Sequence, residues 1–230
     1  LPPGVGPFDL IILCHVLEHV RDLGGALAGV RGLLKPGGRL YVETPDASRY
    51  AERVEAPFQE FNTEHINHFS LQGMHNLLGI CGFTPEASGS KDLPTASGAP
   101  YPALFVFARR TAGGAPAPVL TRDRELRETL ARYVADSARM MRRLDHQISR
   151  VLAKSPEVVV WGTGQLAMKL LAETCLARAR IAAFVDGNPV NHGRHLAGTR
   201  IVAPADVPRG KTPILVTSTL HHDAIAAHIR

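Results

Sequence analysis

The stretch Val158-Val159-Val160-Trp161-Gly162-Thr163-Gly164-Gln165-Leu166-Ala167 decides how this chain folds. A β-branched apolar run feeds into Gly-x-Gly-x-x-Ala, and a second apolar run, Ile181 to Val185, follows and ends on Asp186. That is the strand, turn, helix, strand order of a nucleotide-binding βαβ unit. The first glycine makes the tight turn, the second lets a phosphate approach the backbone, and the small third residue lets helix pack on strand. In such a unit Asp186 would accept a ribose hydroxyl. The turn Gly187-Asn188-Pro189 comes where a full dinucleotide fold continues its winding, which argues against an intact dinucleotide site. Gly162, Gly164 and Asp186 are then read either as substrate contacts or as a turn kept for packing.

Working outward, Ile214 to Ser218 reads as a further strand with a helix after it, and 187–213 as a turn-rich loop. Upstream, Leu126, Leu130, Tyr133, Val134, Met141, Leu144, Ile148 and Leu152 form one apolar stripe on a long helix from about Thr121 to Lys154. Ala112 to Pro118, rich in Gly, Ala and Pro, is the natural linker. In front of it the pattern predicts a buried strand over Phe8 to Leu13 and a helix carrying Leu23, Leu27, Val30, Leu33 and Leu34, stopped by Pro36-Gly37-Gly38. A strand over Arg39 to Thr44 follows, then an irregular 47–64, a helix N-capped by Ser70 and ended near Gly82, and a strand over Leu104 to Ala108.

Two modest domains fit within 230 residues. The 26 Lys and Arg against 21 Asp and Glu leave a net charge of +5, concentrated in the 122–150 helix, where interspersed acids make it a solvated face. With a single Trp and no basic–aromatic interleaving, nucleic acid is excluded as a partner. Cys14, Cys81 and Cys175 form no Cys-x-x-Cys pair, which points to a reducing, cytoplasmic compartment and away from a disulfide framework or structural zinc. No run is long and apolar enough to span a membrane. Because the first residue is not Met and Ala226 to Arg230 read as helix interior, a piece of a longer chain is expected.

The front half resembles the back part of a class I S-adenosylmethionine-dependent methyltransferase. The carrying residues are Phe8-Asp9-Leu10-Ile11 with Val16-Leu17-Glu18-His19-Val20, then Leu34-Lys35-Pro36-Gly37-Gly38-Arg39-Leu40, then Gly82-Phe83. The back half resembles the C-terminal domain of sugar C-methyltransferases, which methylate nucleotide-linked keto-sugars. Here Val160-Trp161-Gly162-Thr163-Gly164, Phe184-Val185-Asp186-Gly187-Asn188-Pro189 with Gly193, and Ile201-Val202-Ala203-Pro204 carry it. The resemblance implies an α/β protein: a partial class I methyltransferase sheet in 1–112, a linker and long helix in 113–155, and a Rossmann-like parallel α/β domain in 156–230. The front sheet is expected to be mostly parallel and incomplete, with an uncovered edge. The family's glycine-rich cofactor loop and ribose acid lie upstream of Leu1, so this chain alone is expected to bind S-adenosylmethionine negligibly.

Glu64-His65, in Asn62-Thr63-Glu64-His65-Ile66-Asn67-His68-Phe69-Ser70, matches a Glu-His pair whose His is the family's proposed base; the Tyr usual two residues before the Glu is here Asn62. Carbon methylation beside a ketone requires a base for a weakly acidic C–H, and histidine is substantially neutral at working pH. His65 and Glu64 are therefore the catalytic candidates, with a loop histidine bonding backbone as the alternative, and Asn62 joins the substrate contacts. His68 reads as structural. His15 follows a strand end, where ligands of open α/β sheets bind, and is the cofactor-contact candidate; Glu18 and His19 read as capping and orienting the loop. No cluster has zinc-like spacing, and no metal is expected. The implied function is S-adenosylmethionine-dependent methyl transfer to a small molecule, a nucleotide sugar methylated on carbon. The alternatives are O-methylation of a sugar or small metabolite and a non-catalytic nucleotide-sugar-binding or scaffolding module. Oligomeric state is not legible.

Overall fold

The computed structural model describes residues 6–95, 100–113, 117–207, 210–219 and 221–229. The expected linker Ala112 to Pro118 lies partly outside them, at 114–116. The chain divides into two compact units, one of 1–53 with 60–133 and one of 54–59 with 134–230.

The first unit holds β1 (Phe8–Cys14), α1 (Leu23–Leu33), β2 (Leu34–Pro45), α2 (Leu71–Ile80), β3 (Phe83–Leu93) and β4 (Tyr101–Arg110). Its sheet runs β1-β2-β4-β3. The expectation of a mostly parallel sheet is corrected: β1 and β2 pair parallel, but β4 runs antiparallel to both β2 and β3. A further correction concerns β1. Its unbroken apolar run predicts full burial, yet it is an edge strand with Leu10 45% and Ile12 59% exposed, while Ile11 and Leu13 pack inward. The expected uncovered edge is this strand. Alternation along β2 and β4 sends Leu40, Val42, Leu104, Val106 and Ala108 into one core with Leu27 of α1 and Met74 and Leu78 of α2. Burying side chains of this size contributes about 1.5–3 kcal/mol each. Ser70 caps α2 as expected, its hydroxyl accepting from the Gly73 amide at 3.0 Å.

The long helix α3 (Arg124–Leu152) contributes Tyr133 to the first unit, and Met141 and Ile148 to the core of the second. Val134, placed on the apolar stripe by spacing, is exposed. The second unit adds β5 (Glu157–Trp161), α4 (Gln165–Glu173), β6 (Arg180–Val185), β7 (His195–Leu196), β8 (Thr199–Val202), β9 (Ile214–Val216) and α5 (His222–Ile229). Its sheet order is β7-β8-β6-β5-β9; the three long-range pairings are parallel and only the β7–β8 hairpin is antiparallel. Because β5 is apolar on both faces, Val158 and Val160 enter one core with α4, and Val159 and Trp161 enter another with Ile225 of α5. This is the Rossmann-like layering expected for the back half.

Candidate active site

In the first unit, functional side chains gather where β1 ends. The ladder continues one residue past the strand, the His15 amide donating to Glu43 O at 2.9 Å, and His15 then takes φ +51°, which turns the chain out of the sheet. The next residues wind into a 3-10 turn, Leu17–His19, anchored by the buried Leu17. This turn holds a second loop. The Glu18 carbonyl accepts from the Ile66 and Asn67 amides at 2.9 and 3.1 Å, and the Asn67 side chain donates to Leu17 O and Val20 O at 3.0 and 2.7 Å. Asn62 shapes the loop's tip, its Oδ1 accepting from the Glu64 and His65 amides at 2.9 and 2.7 Å. His19 Nδ1 then donates to Glu64 O at 2.8 Å, and the His19 and His65 rings meet edge-on, centroids 5.0 Å apart.

Beneath these rings lies Glu18, 1% exposed. One carboxylate oxygen meets His15 Nδ1 at 3.1 Å; the other has no hydrogen-bond partner among the described residues, and neither has the buried Nδ1 of His65. His15 also approaches Glu43, Nε2 to Oε1 3.5 Å, so it sits between two carboxylates. Glu43 is further bonded by Tyr41 Oη at 2.8 Å and by the Lys91 ammonium. Burial works to raise the Glu43 carboxyl, but the bonds from Lys91 and Tyr41 outweigh it and hold it below the usual carboxylate range; the Lys91 ammonium, bonded to Glu43, is raised. His68 packs among Tyr50 and Phe61 instead, where burial and then the neighbouring His65 lower its pKa.

Of the sequence-derived residues, His15, His65 and the backbone of Glu64 come together here. Asn62 spends its side-chain oxygen on the turn that presents Glu64 and His65, which makes it a positioning residue by geometry. Glu18 and His19, read from sequence as loop-orienting, also face His65; the signal that points to them is their place just beyond a strand's carboxyl end. Among the described residues of the first unit no glycine turn links a strand to a helix N-terminus.

In the second unit, Gly162, Thr163, Gly164, Asp186, His221 and His228 line part of a cleft of about 800 Å³ at the carboxyl ends of β5 and β6. Gly162 has φ +111°, and a Cβ there would meet Thr217 Oγ1 at 2.6 Å; a Cβ on Gly164, the N-terminal boundary of α4, would meet nothing within 4 Å. Both Asp186 oxygens are engaged: Oδ1 accepts from the Asn188 amide at 2.7 Å, and Oδ2 from Asn191 Nδ2 at 3.1 Å and from the Thr163 hydroxyl. Burial works to raise this carboxyl, and these bonds bring it below the ordinary aspartate value.

Residues 2–88 match the model of a family described as a methyltransferase domain. That segment contains every member of the His15–Glu18–His19–His65 cluster. Over 44 residues the chain is 48% identical to the ubiquinone biosynthesis O-methyltransferase of Caulobacter vibrioides, a stretch covering 19% of this chain and 18% of that protein. Among solved structures it is similar to an S-adenosylmethionine-dependent methyltransferase from Methanosarcina mazei, with 21% identity, 48% of this chain and 63% of that one covered, and a TM-score of 0.36. It is also similar to the 1,6-didemethyltoxoflavin-N1-methyltransferase of Burkholderia thailandensis, solved with 1,6-didemethyltoxoflavin and S-adenosylhomocysteine, at 22% identity, 47% and 46% coverage and a TM-score of 0.34. The chain thus spans less than two thirds of each of these proteins. Among the described residues no helix is long and apolar enough to cross a membrane.

Proposed function

We propose that this protein takes part in S-adenosylmethionine-dependent methyl transfer to a small molecule, and that the acceptor is a nucleotide-linked sugar methylated on the carbon beside a ketone. The supporting observation is that the segment matching a methyltransferase domain also brings His15, Glu18, His19 and His65 together at the end of β1. The cofactor, when bound, would supply an electrophilic methyl group, with a thioether as the leaving group. The chain's own part is to handle the acceptor's proton. His65 accepts it at an imidazole nitrogen, with Glu64 beside it; Asn62 fixes the turn that presents both, and His15 is assigned to contact the cofactor. The electron pair left on the acceptor carbon then forms the new C–C bond. In the second unit, Gly162, Gly164 and Asp186 are assigned to contact the nucleotide sugar, with the open face at Gly164 as the place for phosphate oxygens.

The 44-residue likeness to a ubiquinone O-methyltransferase favours a second reading, methylation of a hydroxyl on a small metabolite. Labelled S-adenosylmethionine, given to the intact protein with a panel of keto and reduced nucleotide sugars and small phenols, separates the two. Label in a new C–C bond on keto-sugars only is the expected result; label on hydroxyl oxygen moves the assignment to the second reading, and no transfer to any acceptor refutes both. His65→Ala is expected to lower kcat by about 10²–10⁴-fold with nucleotide-sugar affinity retained, and His65→Gln to be as poor. Near-normal turnover in both variants removes His65 from the mechanism.

A further inference from the structure

Two imidazoles and a carboxylate converge in the first unit. One ligating atom each from Glu18, His19 and His65 lies within 4.8 Å of the others. Three observations distinguish this from a chance cluster. The free Oε2 of Glu18 is buried without a partner, on a side chain 1% exposed, which is costly for an isolated carboxylate unless something positive satisfies it. The other oxygen is held by His15, so a turn of the carboxylate toward solvent would break that bond. And His19 donates its Nδ1–H to a main-chain carbonyl, the second bond that ordinarily fixes the tautomer of a metal-binding histidine and leaves Nε2 as a lone pair.

We propose that Glu18, His19 and His65 bind a divalent first-row transition-metal ion. Metal–ligand bonds of about 2.0–2.2 Å put ligand atoms roughly 3–4 Å apart, so an ångström or so of side-chain rotation closes the set. The His65 ring, whose Nδ1 makes no hydrogen bond, can supply that movement without breaking one at that atom. Two imidazoles with one carboxylate select zinc, cobalt, iron or manganese over magnesium and calcium, which prefer oxygen alone. Three protein ligands leave positions open, and His19 stands exposed at the surface, so an oxygen of a bound small molecule reaches the ion. The ion and a proton compete for His65; a seated ion therefore replaces it as proton acceptor and instead acidifies an oxygen bound to it. The inference rests on the same cluster as the proposed methyl transfer but not on that reaction.

The test is titration of the chelator-treated intact protein with Co²⁺ alone, read by its visible d–d absorption. Saturation at one equivalent, reversed by Zn²⁺, is expected. His19→Ala, at an exposed position, and Glu18→Gln, which keeps the buried shape, should each weaken binding by more than the roughly 10–100-fold that loss of an outer-shell partner costs. His222→Ala, on α5, should change nothing. Absence of a one-equivalent transition, or unaltered affinity in His19→Ala, overturns the proposal, and His19→Ala decides alone if Glu18→Gln does not fold. Co²⁺ binding is read without substrate, so its failure and the failure of methyl transfer are separate results.

Discussion

His19 Nδ1 donates to the carbonyl oxygen of Glu64, 2.8 Å away and forty-five residues on. A carbonyl can only accept, so this bond assigns the proton of the neutral ring to Nδ1 and leaves Nε2 as a lone pair. It also ties the 3-10 turn after β1 to the loop carrying His65, whose geometry is set by neighbouring backbone amides. The site is thus held by its second layer, Asn62 and Asn67.

Asn62→Ala should lower turnover, while Asn62→Asp should preserve most of it. Only the acceptor oxygen shared by the Glu64 and His65 amides matters to the turn, and aspartate keeps one. The loss should appear in kcat more than in KM. Equal activity in the alanine and aspartate variants would show that the turn does not position His65.

Asn67→Ala removes both side-chain bonds to the 3-10 turn and leaves the Leu17 and Val20 carbonyls without that donor. The expected destabilisation is about 1–3 kcal/mol, measured by denaturant unfolding with an unchanged m-value. Hydrogen exchange should rise first in 62–68, because those amides close against the turn that Asn67 holds.

Stability should fall in acid partly through Glu43. Its folded-state pKa lies below the unfolded value of about 4.3, so its contribution is present above that pH and is lost as pH falls through the folded-state value. Lys91→Met removes the strongest bond opposing burial. Melting temperatures from about pH 7 down to about pH 2 should show the variant lower at neutral pH and the two curves converging in acid. A constant offset across that range would show that Lys91 acts by packing over Tyr41 and Phe105 rather than through Glu43.

Elements with a strong local signal were legible in the chain: the β5 run, the Ser70 cap, the apolar stripe of α3. Two kinds of element were not. β3 carries Pro85 and Gly89 and alternates polar residues, a pattern that reads as loop. It forms because it lies at the sheet edge, where a missing amide costs no ladder bond and a bulge between Pro85 and Ala87 absorbs the misfit. The β7–β8 hairpin is too short for any period and turns through Ala197 and Gly198, both at positive φ. The meeting of Glu18 and His19 with His65 was illegible for a different reason. Metal-ligand spacings are recognisable within one helix or knuckle, whereas this set spans two loops joined by backbone hydrogen bonds that no side-chain pattern announces. Conversely β1, the most apolar run of the front half, reads as buried on both faces, yet Leu10 and Ile12 are exposed, because composition reports what a strand's face could bury and not whether another element covers it.

The two glycines of the β5–α4 turn should respond in opposite ways. At Gly162 a side chain meets both an unfavourable φ of +111° and the Thr217 hydroxyl at 2.6 Å, and that hydroxyl is anchored on Trp161 O and Gly162 O at 3.0 and 3.1 Å. Gly162→Ala should therefore cost at least the roughly 1–3 kcal/mol of a forced backbone region. Adding Thr217→Ala should recover only the clash, leaving the backbone cost as the residue of a double-mutant cycle. Gly164 is at φ −78° with open space where its Cβ would lie, so Gly164→Ala should leave unfolding within about 0.5 kcal/mol of the parent. If the open space is there for a phosphate, the same variant should weaken nucleotide-sugar binding measured by calorimetry, a loss of affinity without a loss of stability. Unchanged affinity in Gly164→Ala, with Gly162→Ala destabilised, would make the turn a packing device and remove both glycines from the binding site.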